Sequence, residues 1–181
     1  MKFVRIFLLI STICFGQNED LETMSWQAEK PILWKNFKGK PNRNNDAAAQ
    51  TVSGISFGFS IGKTGNTITD FTTNVECLFY PTESWYKPEV ATPYILKHEQ
   101  LHFDITELHA LLLRKKISKI KPSARLKSQL NDLYKSISRD SYKMQQRYDD
   151  ETNHSINKEK QAAWNLYIAK ALKKLEAYKT Q

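Results

Sequence analysis

Residues 92–116 read Thr-Pro-Tyr-Ile-Leu-Lys-His-Glu-Gln-Leu-His-Phe-Asp-Ile-Thr-Glu-Leu-His-Ala-Leu-Leu-Leu-Arg-Lys-Lys. Pro93 suits the first turn of a helix, with Thr92 before it as the cap, and the helix is expected to run to about Lys116. Leu101, Leu108 and Leu112 form its core stripe, with Ile105 between that stripe and the histidines. His98 and His102 lie four residues apart, so they are separated by about 40° around the helix and one turn along it. Two imidazoles so placed can meet one small cation. Glu99, directly after the first histidine, points to the flank of such an ion. There it can take a proton from zinc-activated water and pass it to a leaving amine, while the metal polarises the scissile carbonyl. These are the residue types that peptide-bond hydrolysis requires.

Outward from this helix the texture of the chain changes. From about Leu21 to Tyr86 it is rich in Thr, Ser, Phe and Gly, and from about Pro93 to Lys179 it has no glycine at all. That division predicts an α+β domain, with a small, mostly antiparallel sheet followed by three helices. Ile55, Phe57, Phe59 and Ile61 alternate with Gly54, Ser56, Gly58 and Ser60, which predicts a half-buried strand over 52–61. A turn at Lys63-Thr64-Gly65-Asn66 leads to strands at Thr67–Phe71 and Asn74–Tyr80, with Cys77 buried or half-buried as a small hydrophobe. After Pro122 a second helix carries Leu126, Leu130, Leu133, Ile137, Met144 and Tyr148 on its stripe. A third, over 158–178, carries Ala162, Trp164, Ile168, Ala171, Leu172 and Leu175.

At the start of the chain, Lys2 and Arg5 precede the apolar run Ile6 to Phe15, and Gln17-Asn18-Glu19-Asp20 follows. This is the layout of a secretory signal peptide over 1–16, cleaved after Gly16, because the apolar run is too short to span a bilayer. A lipid anchor at Cys14 and an uncleaved anchor helix are the competing readings. The expected mature protein, 17–181, is one domain, secreted or periplasmic, with no stable membrane insertion and a monomer as the expected state. Cys77 would then be its only cysteine, so it has no intrachain disulfide. The formal charge of +8 falls to +6 once Lys2 and Arg5 are removed. Much of the excess lies in Arg114, Lys115, Lys116, Lys119, Lys121, Arg125 and Lys127. With an export signal, that run reads as the solvated end and turn of a helical hairpin, and nucleic acid is not an expected partner.

A catalytic zinc site needs a third protein ligand and an open position. His109 shares the histidine face but lies about 10 Å further along an unbroken helix, too far to join the same ion. Asp104 and Glu107 point away from the histidines, and Asp104 reads first as a helix-surface charge and second as a hydrogen-bond acceptor behind the site. The segment Tyr148-Asp149-Asp150-Glu151-Thr152-Asn153-His154-Ser155 collects ionisable residues where the second helix loses its apolar rhythm. His154 is the first choice for the third ligand and Glu151 the second, and a solvated helix end with one exposed histidine is the competing reading. Tyr148, Asp149 or Asp150 can orient a ligand imidazole or donate to an oxyanion. For an extended peptide, a strand edge at Asn74–Tyr80 or around Ser84-Trp85-Tyr86 is the natural docking line.

The helix motif His98-Glu99-Gln100-Leu101-His102-Phe103-Asp104-Ile105, the later Tyr148–Ser155 segment and the early Trp34-Lys35-Asn36-Phe37-Lys38-Gly39-Lys40-Pro41 together resemble a bacterial family. It is a domain-of-unknown-function family described as predicted secreted zinc-dependent proteases. The resemblance covers roughly Leu33 to Leu175 and implies a zincin-like fold, bound zinc, and peptide or protein substrates in the cell envelope. The family usually has a glycine after the last histidine, where this chain has Ser155. Two other readings compete: an envelope binding or structural protein tied by zinc, and a zinc amidase acting on peptidoglycan.

Overall fold

The computed structural model describes residues 21–44 and 46–179. The expected export signal, its cleavage point at Gly16 and Cys14 lie outside these residues. Five strands precede three helices: β1 (Met24–Ser25), β2 (Ala49–Gln50), β3 (Ser53–Thr64), β4 (Thr67–Phe79), β5 (Trp85–Tyr86), α1 (Pro93–Ile117), α2 (Leu126–Thr152) and α3 (Lys158–Lys174). Short 3-10 turns lie at Trp34–Asn36 and Glu176–Tyr178. The architecture is therefore α+β, a small antiparallel sheet followed by three helices.

The long hairpin β3–β4 dominates the sheet, with β1 added to the far side of β4. Its register runs unbroken from Ser53↔Phe79 to Gly62↔Asp70. The two strands expected at 67–71 and 74–80 are thus one strand, because Thr72 and Thr73 keep the alternation and pair with Ser60 and Phe59. Gly65 closes the turn at φ 61, a left-handed backbone that glycine adopts without a steric penalty. A second, two-stranded ribbon pairs β2 with β5, and Trp85 Nε1 donates to Gln50 Oε1 across it. Gly39 lies so close to the segment before β5 that a Cβ there would stand 2.8 Å from the carbonyl oxygens of Thr82 and Ser84.

Helix α1 starts as the sequence predicts, with the Thr92 side chain accepting from Ile95 N and Pro93 in the first turn. It is buried on two sides, which a single stripe of Leu101, Leu108 and Leu112 does not anticipate. Phe103, Ala110, Leu113 and Ile117 pack toward the sheet with Val75, Cys77 and Phe79. Leu101, Ile105, Leu108 and Leu111 pack on Tyr148, Trp164, Ile168 and Leu175 of α2, α3 and the C-terminal turn. A helix with neighbours on both sides buries apolar residues nearly all round.

Three local expectations change in the folded chain. Arg114 is not solvated: it donates to Val75 O through Nε and Nη2 and pairs with buried Glu107 at 2.9 Å. Asp104 is not a surface charge, since its carboxylate accepts from Trp26 Nε1 at 2.7 Å and ties the β1 segment to α1. On α3 it is Gln161 that is buried, while Ala162 is exposed. Among the described residues, no helix is long and apolar enough to cross a membrane.

Candidate metal centre

The histidines of α1 face the last two turns of α2. His98 Nε2 and His102 Nε2 stand 3.2 Å apart. The Oδ1 atom of Asp149 lies 3.1 Å from the first and 2.9 Å from the second. Ligand atoms held tetrahedrally about 2.0–2.2 Å from a zinc ion stand roughly 3.3 Å from one another. The three separations come within a few tenths of an ångström of that, so the donor set fits such an ion. His98, His102 and Asp149 are a group able to coordinate a metal ion.

Each imidazole is held from behind by a glutamine. Gln145 Nε2 donates to the carbonyl of His102 at 2.8 Å and to Thr106 Oγ1, which leaves Oε1 to face His102 Nδ1 at 2.6 Å. That oxygen can only accept, so Nδ1 carries the hydrogen and Nε2 turns toward the cluster. On the other side, Gln161 Oε1 lies 2.8 Å from His98 Nδ1 and also accepts from the Tyr148 hydroxyl at 2.8 Å. The Tyr148 ring stacks on His98 at 4.5 Å and meets His102 edge-on.

The electrostatics favour positive charge at this point. Burial raises the cost of a charge on Asp149, but hydrogen bonds and charge from His102 and His98 outweigh it and hold the carboxyl well below the ordinary range. Burial likewise opposes a proton on His102, yet Asp149 and the nearby Glu99 charge leave its pKa above the usual value. Among the described residues, two buried side-chain oxygens have no hydrogen-bond partner: Glu99 Oε2 and the Tyr94 hydroxyl. An unpaired carboxylate oxygen in a buried position is costly to keep, and here it sits one residue from a cluster ligand.

The residues singled out from sequence separate into groups. His98 and Glu99 are buried, and His102 on the same turn is partly buried. His154 is not drawn into the cluster: its side chain is 72% exposed, and Nδ1 reaches only to 3.8 Å from Asp149 Oδ1. Glu151 pairs with Arg147 and accepts from Trp164 Nε1, and it is not among the clustered donors. Tyr148 is fully buried with its hydroxyl committed to Gln161 and the His98 carbonyl. His109 lies in the core, its Nδ1 donating to Ile105 O. Sequence reading gave Asp149 an orienting or oxyanion-donating part, not a ligand's, and passed over Gln145, Gln161 and Tyr94. One signal was available for Asp149: Gln145 and Asp149 are four apart on α2, matching the spacing of His98 and His102 on α1.

Two cavities of about 480 and 560 Å³ open beside Trp26, and neither is lined by the histidines. The cluster lies instead near the β2–β5 ribbon, where Thr51, directly after β2, donates its hydroxyl to the carbonyl of Glu99.

No curated protein and no solved structure matches the chain. One family does, over residues 32–155, a span that holds the early Trp34–Pro41 motif, the α1 histidines and the end of α2. The chain belongs to that family, described as bacterial protein of unknown function (DUF922).

Proposed function

We propose that this protein is an exported zinc-dependent peptidase that folds as a single domain after loss of residues 1–16 and works outside the cytoplasm on peptide bonds of envelope proteins. The observation that carries the reading is the pairing of two kinds of group. Two Nε2 atoms and the Asp149 carboxylate converge as metal donors, and the adjacent Glu99 holds a buried carboxylate oxygen with no partner. A zinc ion held by His98, His102 and Asp149 supplies Lewis acidity toward water and toward a carbonyl oxygen.

The chain's own residues then have separate tasks. Glu99 Oε2 accepts a proton from attacking water and returns it to the departing amine. Tyr148 packs on both imidazoles and keeps water off their inner faces. His154, exposed just past α2 and 3.8 Å from Asp149 Oδ1, meets the substrate. Among the described residues no fourth donor joins the cluster, which supports an open position and a catalytic role over a purely structural tie.

The test is metal analysis with peptide hydrolysis on wild type and Glu99→Gln. The expected result is zinc at one equivalent in both proteins, with hydrolysis lost by a factor of about 10² or more in the variant. Unchanged hydrolysis in Glu99→Gln, or iron in place of zinc, overturns the proposal. A muropeptide set run beside the peptides separates proteolysis from amidase action on peptidoglycan.

A further inference from the structure

The family match ends at Ser155, but the hydrogen bonding of the histidines does not. We infer that α3 is a working part of the metal centre: Gln161 on α3 and Gln145 on α2 are positioning residues that fix the tautomers of His98 and His102 so that both Nε2 lone pairs face the metal. The inference rests on the metal reading given above.

Each imidazole has two ring nitrogens, and an unconstrained neutral histidine can put its hydrogen on either. A hydrogen on Nε2 would block the metal-facing position. Gln145 excludes that for His102, because its Nε2 already donates to a backbone carbonyl that cannot donate in return. Its Oε1, 2.6 Å from Nδ1, therefore demands a hydrogen on Nδ1. Gln161 does the same for His98. Its Nε2 is directed to Asn165 Oδ1 at 3.1 Å, which leaves Oε1 to accept from both the Tyr148 hydroxyl and His98 Nδ1.

The two glutamines differ in what else they fix. Gln145 grips both the ring and the backbone of His102, and it lies one turn before Asp149. It thereby sets the register that brings the carboxylate between the two imidazoles. Gln161 is almost fully buried, at 1% exposure, and connects α3 to α1 through His98 and to α2 through Tyr148. An amide in that position is kept at the expense of an apolar core contact, which the tautomer it enforces accounts for. Partners behind metal-bound histidines generally matter about 10- to 100-fold in metal affinity.

The experiment uses the full mature protein with zinc as the probe, in competition with a chromophoric chelator. Gln161→Met and Gln145→Met are each expected to weaken zinc binding about 10- to 100-fold, and Gln161→Glu, which still accepts from Nδ1, is expected to stay within a few-fold of wild type. In parallel, ¹⁵N spectra of the imidazoles in the metal-free protein are expected to show hydrogen on Nδ1 of both rings, whether or not Nε2 also carries one toward Asp149. A merely structural role moves thermal stability without moving the tautomer signal. Gln161→Met and Gln145→Met that bind zinc as wild type does, or wild-type rings with no hydrogen on Nδ1, overturn the inference. If Gln161→Met fails to fold, Gln145→Met and the wild-type spectrum decide it. A wild type that takes no zinc instead sinks the metal reading, and the tautomer spectrum still decides the roles of the glutamines.

Discussion

Asp149 and His154 are five positions apart, yet only the carboxylate meets the two histidines. The helical part of α2 carries Asp149 inward, whereas His154 lies beyond the helix end with its side chain largely in solvent. Asp149→Ala is therefore expected to lower zinc affinity by at least about 100-fold, and His154→Ala to leave it within a few-fold while reducing hydrolysis, both read by chelator competition. The opposite order would transfer the third ligand to His154. His109 offers a separate test away from the centre. Burial pushes its pKa below the ordinary histidine value, so the folded state holds it neutral while the unfolded chain takes a proton near pH 6.5. The unfolded state thus binds more protons as pH falls through that range, and the stability due to neutral His109 is lost there. In urea unfolding, the advantage of wild type over His109→Gln is expected to shrink from about pH 7.5 to about pH 5.5, and a constant gap refutes this. At this scale His98, Glu99 and His102 were legible because their relation is local, four residues on one helix. Asp149, Gln145 and Gln161 were not, since each owes its role to a helix crossing that spacing alone does not encode.

The end of α2 shows how an element's boundary shapes a site. Asn153, His154 and Ser155 have φ values of 47, 49 and 74, three successive residues in the left-handed region. Asparagine tolerates that conformation, but a residue with a Cβ pays about 1–2 kcal/mol there, which gives a physical reason for a glycine at the position of Ser155. Ser155→Gly is expected to raise stability by about 0.5–1 kcal/mol, since the relief of strain exceeds the added freedom of the unfolded chain. Denaturant midpoints measure it, and a less stable variant contradicts it. The long elements were readable: the cap and proline of α1, the alternation of β3 and the stripe of α2 all folded as patterned, while the two-residue strands β1 and β2 are too short to carry a period. What escaped was continuity and company. One long β4 replaced two short strands because pairing with β3 carried the alternation through Thr72 and Thr73. Arg114 left solvent for Glu107 and Val75 because the sheet lies against that end of α1.

Taken as a whole, the molecule places its candidate metal donors at the meeting of α1 and α2 and braces them from α3, so a metal held there would couple binding to folding. A ligand that binds only the folded state, at a hundred times its Kd, adds about 2.7 kcal/mol of stability. For a domain of this size that corresponds to roughly 5–10 °C in Tm. Zinc is expected to raise Tm by that amount and a strong chelator to reverse it, with Asp149→Ala insensitive to both; equal melting with and without metal refutes the coupling. The sequence by itself determined the division into sheet and helices and the histidine pair with its glutamate, because periodicity and four-residue spacing are local properties of a helix or strand. The histidine helix remains the firmest feature of the chain. Only the tertiary structure decided that Asp149 completes the cluster, that His154 stays at its rim, and that glutamines from two other helices hold the rings. Those relations depend on how three helices cross, and packing between distant segments sets that geometry.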